Sequence, residues 1–594
     1  MDFLLNKKHR VLPSVPVEHG IFSVTPMKPN VLMLIDANPA VIETIRHTVH
    51  HYWPGGIKSM EENQYHMISV TLSTKSFNMT SGPFQQGANS LVSQSARRLC
   101  CHLLMALEHQ GWTLLADVQL AQNNNSTWYF CKSTADEQNV VVGDPSQAGT
   151  STPTAVNPIM CISLSKKSVM NLIYPEHMPD RSLIDKIVVE AIGSDLAESQ
   201  PSDSSDSTST MRLLKGSPWT MHFSRKHSVA GRHLILRLFR HLASINYHYI
   251  GTVNMKMTAD SMFFQKSPGL YHRQLPSPSH TCRFGLISLN SADLIRLFDI
   301  PVVVTNAVAT SVSHHWPKGI QEQVMAPEDD CDELKLNGYP WSSTSIQFAS
   351  AHEMLSNILA TCRSLGWQCI ASPTLSPDAD HKSVFILRSC PPLQVPHFVL
   401  APRNDKKLLV CGAKQMQHWV THFMQCYYAN HDGVESADED GSNTVIRFKG
   451  SRPWVTSWSN NDWAWTIMAL GRAMLALKHT HWTPVCAAMT SSRTVDNDSA
   501  SQRLDVNAVF FQYVKHQPTN PQSTLSSNLP NQPPVYSDNN DVYSSPTAAA
   551  PLAPPPSYEE VMALDGFLQQ QQAAGRRPAT LNHSDTQPLI DIGD

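Results

Sequence analysis

The tetrapeptide Gly216-Ser217-Pro218-Trp219 recurs along this chain and sets the first expectation about its fold. The related stretches are Gly338-Tyr339-Pro340-Trp341, Gly450-Ser451-Arg452-Pro453-Trp454 and a weaker first copy, Gly82-Pro83-Phe84. A second aromatic follows the last residue of each copy after 26 to 28 residues, and these aromatics are Trp112, Tyr247, Trp367 and Trp482. Such a spacing, repeated through a long chain, is typical of a duplicated structural unit.

The markers divide nearly the whole body into four divergent units. A second marker precedes the first one, as His51-Tyr52-Trp53-Pro54 in the first copy and His315-Trp316-Pro317 in the third. We therefore expect an N-terminal extension at 1–29, unit 1 at 30–133, a linker at 134–157, unit 2 at 158–268 with a disordered insert at 194–210, unit 3 at 282–390, unit 4 at 396–515 and a tail at 516–594.

The segment between the two aromatics of each copy has the period of an amphipathic helix. In the third copy, Leu355, Ile358, Leu359, Cys362 and Leu365 recur at the spacing of one helix face. Short apolar runs flank this helix and predict strands, and a second helix follows the opening strand of each unit. The expected order within a unit is β-α-β-α-β-β, a mixed α/β fold in which the two helices cover the sheet.

The Pro-Trp markers admit two interpretations. In the first, they form four copies of a ligand site in which Trp is a stacking platform. In the second, Trp caps the core and Pro sets the entry of the chain into the helix. We favour the second interpretation, because a packing pair requires a fixed distance between its two aromatics, and each aromatic buries a large apolar area.

The composition excludes several classes of protein. Charged residues make up 16% of the 594 residues and the formal net charge is −4, so no nucleic-acid partner is expected. The first residues lack the apolar region of a signal peptide, and no apolar run is long enough to predict a transmembrane segment. None of the 12 cysteines forms a CxxC pair, which favours free, mostly buried thiols in a reducing compartment.

Neither a catalytic motif nor a metal-binding motif is present. The sequence contains no dinucleotide or phosphate-binding glycine loop, no nucleophile elbow and no zinc-protease motif. We therefore expect no catalytic residue, no cofactor and no enzymatic activity. His47, His50 and His51 would share one helix face, but no Cys or carboxylate stands nearby at ligand spacing, so no metal is predicted there.

The composition changes after Lys515. Residues 516–594 contain 12 prolines, and their eight acidic residues against two arginines give a net charge of −6. A segment of this composition cannot bury enough apolar surface to fold, so the tail is predicted to be disordered.

Two copies of the motif Pro-Pro-x-Tyr stand in this tail. Their defining residues are Pro533, Pro534 and Tyr536 in the first copy, and Pro555, Pro556 and Tyr558 in the second. Consecutive prolines favour a polyproline II conformation, which loses little entropy on binding, and WW domains bind such segments in aromatic-lined grooves. The two tyrosines are 22 residues apart. A flexible chain of that length spans roughly 25 Å on average, so two linked WW domains can engage both motifs.

The extreme C-terminus carries a weaker signal for trafficking. The segment Leu589-Ile590-Asp591-Ile592 resembles a clathrin-box peptide, although its acidic residue falls one place late. Leu589, Ile590 and Ile592 are the residues that would contact clathrin or one of its adaptors.

The tail resembles the C-terminal tails of arrestin-domain adaptors of NEDD4-type ubiquitin ligases. The resemblance covers about 60 residues and rests on the six Pro-Pro-x-Tyr residues named above. It implies that the tail presents paired motifs to the WW domains of a ligase, while the rest of the chain holds cargo. The body departs from an arrestin, since it is predicted to consist of α/β repeats and not of β-sandwiches.

These observations predict a non-enzymatic cytoplasmic adaptor that reaches endosomal membranes through its partners. Its tail would recruit WW-domain proteins, and its repeat body would bind another protein. Two alternatives remain open at this stage. One is an enzyme or lipid-binding protein with a pocket in the repeat body, whose tail regulates turnover or trafficking. The other is a partner of WW coactivators in transcription, which the near-neutral body does not favour.

Overall fold

A computed structural model describes residues 20–514, except for 28, 63–66, 75–90, 121–125, 133–156, 177, 198–207, 221–224, 255–260, 267–281, 326–330, 342–346, 376–381, 404–405, 429–432, 441, 450–453, 455–461 and 491–506. The extension up to residue 19 and the tail from residue 515 lie outside these residues. None of the helices that the structure describes is long and apolar enough to span a membrane.

Four successive units share one order of elements. Unit 1 consists of β1 (Ile21–Met27), β2 (Val31–Ile35), α1 (Pro39–Tyr52), β3 (Ile57–Glu62), β4 (Met67–Leu72), α2 (Leu91–His109), β5 (Trp112–Val118) and β6 (Thr127–Lys132). Unit 2 consists of β7 (Ile159–Ser165), β8 (Val169–Ile173), α3 (Arg181–Leu196), β9 (Ser209–Leu213), α4 (Arg225–Ser244), β10 (Tyr247–Val253) and β11 (Ser261–Lys266).

The remaining two units repeat the full pattern. Unit 3 consists of β12 (Phe284–Asn290), β13 (Leu294–Phe298), α5 (Val302–His315), β14 (Ile320–Val324), β15 (Asp332–Leu336), α6 (Phe348–Ser364), β16 (Trp367–Ala371) and β17 (Val384–Ser389). Unit 4 consists of β18 (His397–Arg403), β19 (Lys407–Gly412), α7 (Lys414–Tyr428), β20 (Val434–Asp440), β21 (Asn443–Phe448), α8 (Asp462–His479), β22 (Trp482–Ala488) and β23 (Ala508–Tyr513).

The predicted mixed α/β class and the four repeated units are confirmed, but each full unit has two more strands than predicted. The strand order in the first sheet is β3-β4-β2-β1-β6-β5, all pairs are antiparallel, and the other sheets follow the same order. One missed strand follows the opening strand through a tight turn in which Lys166 and Ser291 have positive φ. Turns with positive φ are usually recognised in a sequence by Gly or Asn, and neither residue occupies these positions. The other missed strand is β3 or its equivalent, an exposed and largely polar edge.

Two predicted boundaries also change. We assigned residues 1–29 to an extension, but Ile21–Met27 is the third strand of the first sheet from the β5 edge and pairs with both β2 and β6. The predicted insert at 194–210 overlaps the end of the helix Arg181–Leu196 and the start of the strand Ser209–Leu213. The polar composition that we used to place the insert therefore extends into ordered elements on both sides.

The first two strands of each unit are buried on both faces, which is uncommon for antiparallel sheets. One face of each sheet packs on the two helices of its own unit. The other face packs on the second helix of the preceding unit, as β7 does on α2, β12 on α4 and β18 on α6. Each hydrophobic core in the described chain is therefore shared between two consecutive units.

The fourth unit closes the series onto the first. Helix α8 packs on β1, and the two units share a single core. The hydroxyl of Tyr129 donates to the carbonyl of Ile467 at 3.1 Å, and Arg472 Nη2 lies 3.1 Å from Asp36 Oδ2. A Cβ added to Gly471 would meet the Tyr129 ring at 3.1 Å, so the helix approaches this ring closely. The four units thus form a closed ring.

We predict that the Arg472–Asp36 pair stabilises the closure of the ring. Its side chains are 18% and 7% exposed, so removing one partner leaves the other charge poorly solvated. Arg472→Met and Asp36→Asn should each lower the free energy of unfolding by about 2–3 kcal/mol. The double variant should lose less than the two single variants together, with a coupling energy of about 1–2 kcal/mol in urea unfolding. Strictly additive losses would contradict this role.

Candidate functional site at the ring axis

The four sheets meet at the centre of the ring through one edge strand each. These strands are β5, β10, β16 and β22, and each contacts the corresponding strand of the next unit, including β22 with β5. A β-bulge interrupts all four strands at the same place, and the bulged residues are Leu115, Ile250, Ile370 and Val485. A bulge bends its strand and increases its twist, which lets the four edges converge on one axis.

Polar groups follow the bulge in three of the four strands. The equivalent residues are Asp117, Thr252, Ser372 and Ala487. The Asp117 carboxylate accepts hydrogen bonds from the backbone N–H of Thr252, at 2.9 Å, and from its hydroxyl. On the opposite side of the axis, the hydroxyl of Ser372 donates to the carbonyl of Ala487 at 2.9 Å. These bonds connect unit 1 with unit 2 and unit 3 with unit 4.

Backbone hydrogen bonds continue this connection at the same end of the axis. The N–H of Ser126 donates to the carbonyl of Asn254 at 3.3 Å, from unit 1 to unit 2. The N–H of Ser383 donates to the carbonyl of Met489 at 2.9 Å, from unit 3 to unit 4. The N–H of Asn507 donates to Gln119 at 2.8 Å, from unit 4 back to unit 1. The three bonds are equivalent and run in one direction around the ring.

Burial dominates the electrostatics of Asp117. Desolvation raises the pKa of this carboxyl to about 6, and the two hydrogen bonds from Thr252 only partly oppose the shift. A carboxyl with such a pKa titrates close to neutral pH. One of its two oxygens, Oδ2, accepts both bonds from Thr252 of strand β10, so this group connects units 1 and 2.

Two thiols from neighbouring units also meet near the axis. Cys486 contacts the side chains of Cys369 and Ser372, and burial, reinforced by the contact with Cys369, raises the pKa of the Cys486 thiol. A raised pKa keeps the sulfur in its thiol form, which is a poor nucleophile. Side chains of units 3 and 4 therefore meet at the axis, as those of units 1 and 2 do at Asp117. All 12 cysteines are free, as the sequence predicts, and eight of them are buried.

The sequence markers lie in the cores and not at the axis. Trp219, Trp341 and Trp454 are 0% exposed. Trp219 Nε1 donates to the carbonyl of Val169 at 3.1 Å, and Trp454 Nε1 donates to the carbonyl of Lys407 at 2.9 Å. These two indoles thereby bind the start of the second strand of their units. The packing interpretation of these markers is confirmed, and Phe84 of the weak first copy lies outside the described residues.

The structure does not test the other sequence-predicted sites. The WW-binding residues Pro533, Pro534, Tyr536, Pro555, Pro556 and Tyr558, and the trafficking residues Leu589, Ile590 and Ile592, lie outside the described residues. On α1, the rings of His47 and His51 stack at 6.3 Å, and within the described ranges no group of three His, Cys, Asp or Glu side chains is arranged to hold a metal.

The sequence gives only a weak signal for a role of Asp117. It stands alone in the strand Trp112–Val118 and belongs to no motif. The available signal was a single acidic residue within an apolar strand, at a place where the equivalent residues are Thr, Ser and Ala. Such a residue is usually either paired or functional.

Comparison with known proteins adds a family but no activity. A sequence model of a domain family of unknown function matches residues 21–131, 158–265 and 283–388, which together make up more than half of the chain. The chain belongs to this family and contains its domain in units 1, 2 and 3. Unit 4 has the same order of elements. No curated protein and no solved structure gives a significant match.

We predict that Asp117→Asn stabilises the protein at neutral pH. The folded-state pKa of Asp117 is raised, so ionisation between pH 4 and pH 6 destabilises the fold, by no more than about 3 kcal/mol above pH 6. Asn removes this cost, and its amide oxygen still accepts the bonds from Thr252. The variant should melt at a higher temperature than the wild type at pH 7.5, and the difference should shrink towards pH 4.

Three buried histidines provide a second test of the predicted effect of Asp117 ionisation on stability. Burial lowers the pKa of His102, His352 and His397 to about 4, so their contribution to stability is lost as the pH falls from 6.5 to 4. In the wild type, protonation of Asp117 offsets part of that loss. Unfolding measured from pH 7.5 to pH 4 should thus show a steeper decline in Asp117→Asn, and parallel curves would refute the role given to Asp117.

Proposed function

We propose that this protein is a non-enzymatic adaptor whose tail recruits WW-domain proteins while the ring of units binds a second protein. The observation that carries the proposal is the pair of Pro-Pro-x-Tyr motifs within one tail. Each motif alone binds a WW domain weakly. Two motifs on one chain make the second contact intramolecular, which raises the overall affinity for tandem WW domains without any new contact.

The shape of the body supports a binding role. The four cores are shared between consecutive units and filled by large side chains, and the axis is occupied by packed strands. An enzyme or lipid-binding protein needs a cleft lined by convergent polar groups. In the part of the chain that the structure describes, these filled cores leave the outer surface of the ring for a protein partner.

The direction of the last strand suggests which end of the ring each of the two proposed partners would occupy. The strand Ala508–Tyr513 begins near the Asp117 end of the axis and finishes beside Trp482, where Val514 donates to the carbonyl of His481 at 2.7 Å. The last described residue, Val514, therefore lies at the end opposite Asp117. The 18 residues between Val514 and Pro533 give a flexible chain a reach of roughly 25 Å. A WW protein held by the tail would lie near this end and leave the opposite end for cargo.

A NEDD4-type ubiquitin ligase is the WW protein that this arrangement favours. Such a ligase carries several WW domains in one chain, which suits two motifs separated by 22 residues. We propose that the protein brings cargo to the ligase at endosomal membranes in the cytoplasm, and that its own lysines are modified there as well.

We predict that Tyr536→Ala together with Tyr558→Ala abolishes capture by a tandem WW-domain fragment. Each single variant should weaken binding by 10-fold or more, since it converts a bivalent contact into a monovalent one. The measurement is titration of full-length protein with a purified tandem WW fragment of a NEDD4-type ligase. Tyr543→Ala is the matched control, because this tyrosine lies in the same tail outside either motif. Undiminished capture by the double variant would end the proposal.

We further propose that the extreme C-terminus contacts clathrin or one of its adaptors. Leu589 and Ile590 to Ala should reduce binding of the purified clathrin terminal domain while leaving WW capture unchanged. Ser584→Ala, five residues upstream, is the control for a change in the same segment. Equal clathrin binding by the wild type and both variants would contradict this contact without affecting the WW proposal.

A further inference from the structure

Two partly exposed cysteines lie at the end of unit 3 where the chain enters and leaves this unit. Cys282 stands two residues before β12, the first strand of the unit, and Cys390 directly follows β17, the last strand. The two strands are neighbours in the sheet and pair with each other. The two thiols therefore belong to adjacent segments of one sheet, although 108 residues separate them in the sequence.

The register of the two strands places these cysteines opposite each other. The strands are antiparallel, and the ladder continues to its last pair, where the N–H of Ser389 donates to the carbonyl of Arg283 at 2.9 Å. The N–H of Arg283 donates to Ser389 Oγ, also at 2.9 Å. The next pair along the ladder is Cys282 and Cys390. Because it follows a hydrogen-bonded pair, it is a non-hydrogen-bonded pair, whose Cα atoms are typically about 4.5 Å apart and whose side chains share one face.

This separation is suitable for a disulfide bond. The Cα atoms of two bonded cysteines are usually about 4.4–6.8 Å apart, so Cys282 and Cys390 can be joined without moving the strands. The corresponding positions in unit 4 are Val395 and Val514, where the N–H of Tyr513 donates to Pro396 in the same way. The fold therefore accepts two valines at this place and does not require thiols there for packing.

Two guanidinium groups lie near the thiol of Cys390. Arg363, at the end of α6, donates from Nη1 to Cys390 Sγ at 3.2 Å, and Arg388 of β17 interacts electrostatically with both cysteines. Positive charge stabilises the thiolate, which is the form of sulfur that attacks a disulfide. Burial raises the pKa of the Cys390 thiol, and Arg363 and Arg388 oppose part of this rise. The thiolate is thus a minor form at neutral pH, so we expect exchange with a disulfide over minutes to hours.

Access distinguishes this pair from the other thiols that meet in the ring. Cys369 and Cys486 also meet, near the axis, but Cys369 is only 5% exposed. A small disulfide has to reach the sulfur with which it reacts. The pair at the end of unit 3 should therefore react before the pair near the axis.

We propose that Cys282 and Cys390 form a redox site, which a low-molecular-weight disulfide such as glutathione disulfide oxidises to an intramolecular disulfide bond. The Cys390 thiolate attacks one sulfur of glutathione disulfide, whose S–S bond breaks, and the departing glutathione thiolate takes up a proton. The Cys282 thiolate then attacks Cys390 Sγ and displaces the second glutathione. In total, two electrons and two protons pass from the two cysteines to glutathione disulfide, which becomes two molecules of glutathione.

The new bond fastens the first strand of unit 3 to its last strand. A bond between residues so far apart in sequence restricts the unfolded chain more than the folded one. The oxidised protein should therefore unfold at a temperature several degrees higher than the reduced protein. Replacing both Cys282 and Cys390 by Ser should abolish this difference, and a difference that persists in the double variant would contradict the assignment.

Peptide mapping of the wild-type, full-length protein tests the site without any variant. Protein equilibrated with excess glutathione disulfide at pH 8, alkylated with N-ethylmaleimide and digested should yield one peptide in which Cys282 is linked to Cys390. The link should disappear after incubation with reduced glutathione. Complete alkylation of both cysteines, or a link from either of them to another cysteine such as Cys486, would overturn the proposal.

Single variants separate the two steps of the reaction. Cys282→Ser should stop at the mixed disulfide and retain one glutathione on Cys390. Cys390→Ser should react at Cys282 several-fold more slowly than Cys282→Ser does at Cys390, because Arg363 donates to Cys390. Cys426→Ser is the matched control, since it changes a partly exposed cysteine on α7, and it should form the link as the wild type does. Equal rates in the first two variants would contradict the order of attack.

Arg363 is a positioning residue in this proposal, and its charge can be tested separately from its packing. Arg363→Met should slow the first exchange step several-fold, as measured by the rate at which glutathione is incorporated into Cys282→Ser. Arg363→Lys keeps a positive charge and should restore most of the rate. The same loss in both Arg363 variants would show that the charge does not activate Cys390.

Discussion

Each antiparallel sheet of this protein is apolar on both faces, and a unit has helices for only one of them. The second helix of the preceding unit covers the other face, so the burial of each sheet depends on its neighbour. In an open row, the first sheet would expose the face that carries Ile21, Met33 and Ile35. Closure of unit 4 onto unit 1 buries this face in the core shared by the two units. The hydrophobic effect therefore favours the ring over the row.

Equivalent positions differ between the units where the units meet. The helix position before the second aromatic is Arg97, Arg232, His352 or Ile467 in the four units, and the sheet that faces it differs as well. Since the four backbones are alike, these differences specify which unit packs against which. Each boundary therefore has its own set of side chains, and such differences favour one order of assembly along the chain over the alternatives.

The repeats, the class of fold and the role of the markers were predictable because they depend on large side chains at fixed spacing. Trp219, Trp341 and Trp454 each pack into a core, and their spacing to the next aromatic reflects a helix of 17 to 20 residues in each unit. The hairpin turns at Lys166 and Ser291 were not predictable, because residues with ordinary turn propensity adopt positive φ there. Closure could not be predicted either, since the pattern of a strand buried on both faces does not reveal which element covers the second face.

The axial residues show the same limit for the candidate site. Asp117 and Thr252 are 135 residues apart, and Ser372 and Ala487 are 115 apart, so only the packing of one unit on the next brings each pair together. The outer ends of the sheets show a different constraint. The edge strands β3 and β14 expose polar side chains, among them Lys58, Glu61 and Glu322. Charges on an exposed edge disfavour pairing with a strand of another molecule. At these two edges, a strand of another molecule is therefore disfavoured from extending the sheet, and the side chains that differ between the units remain exposed for recognition.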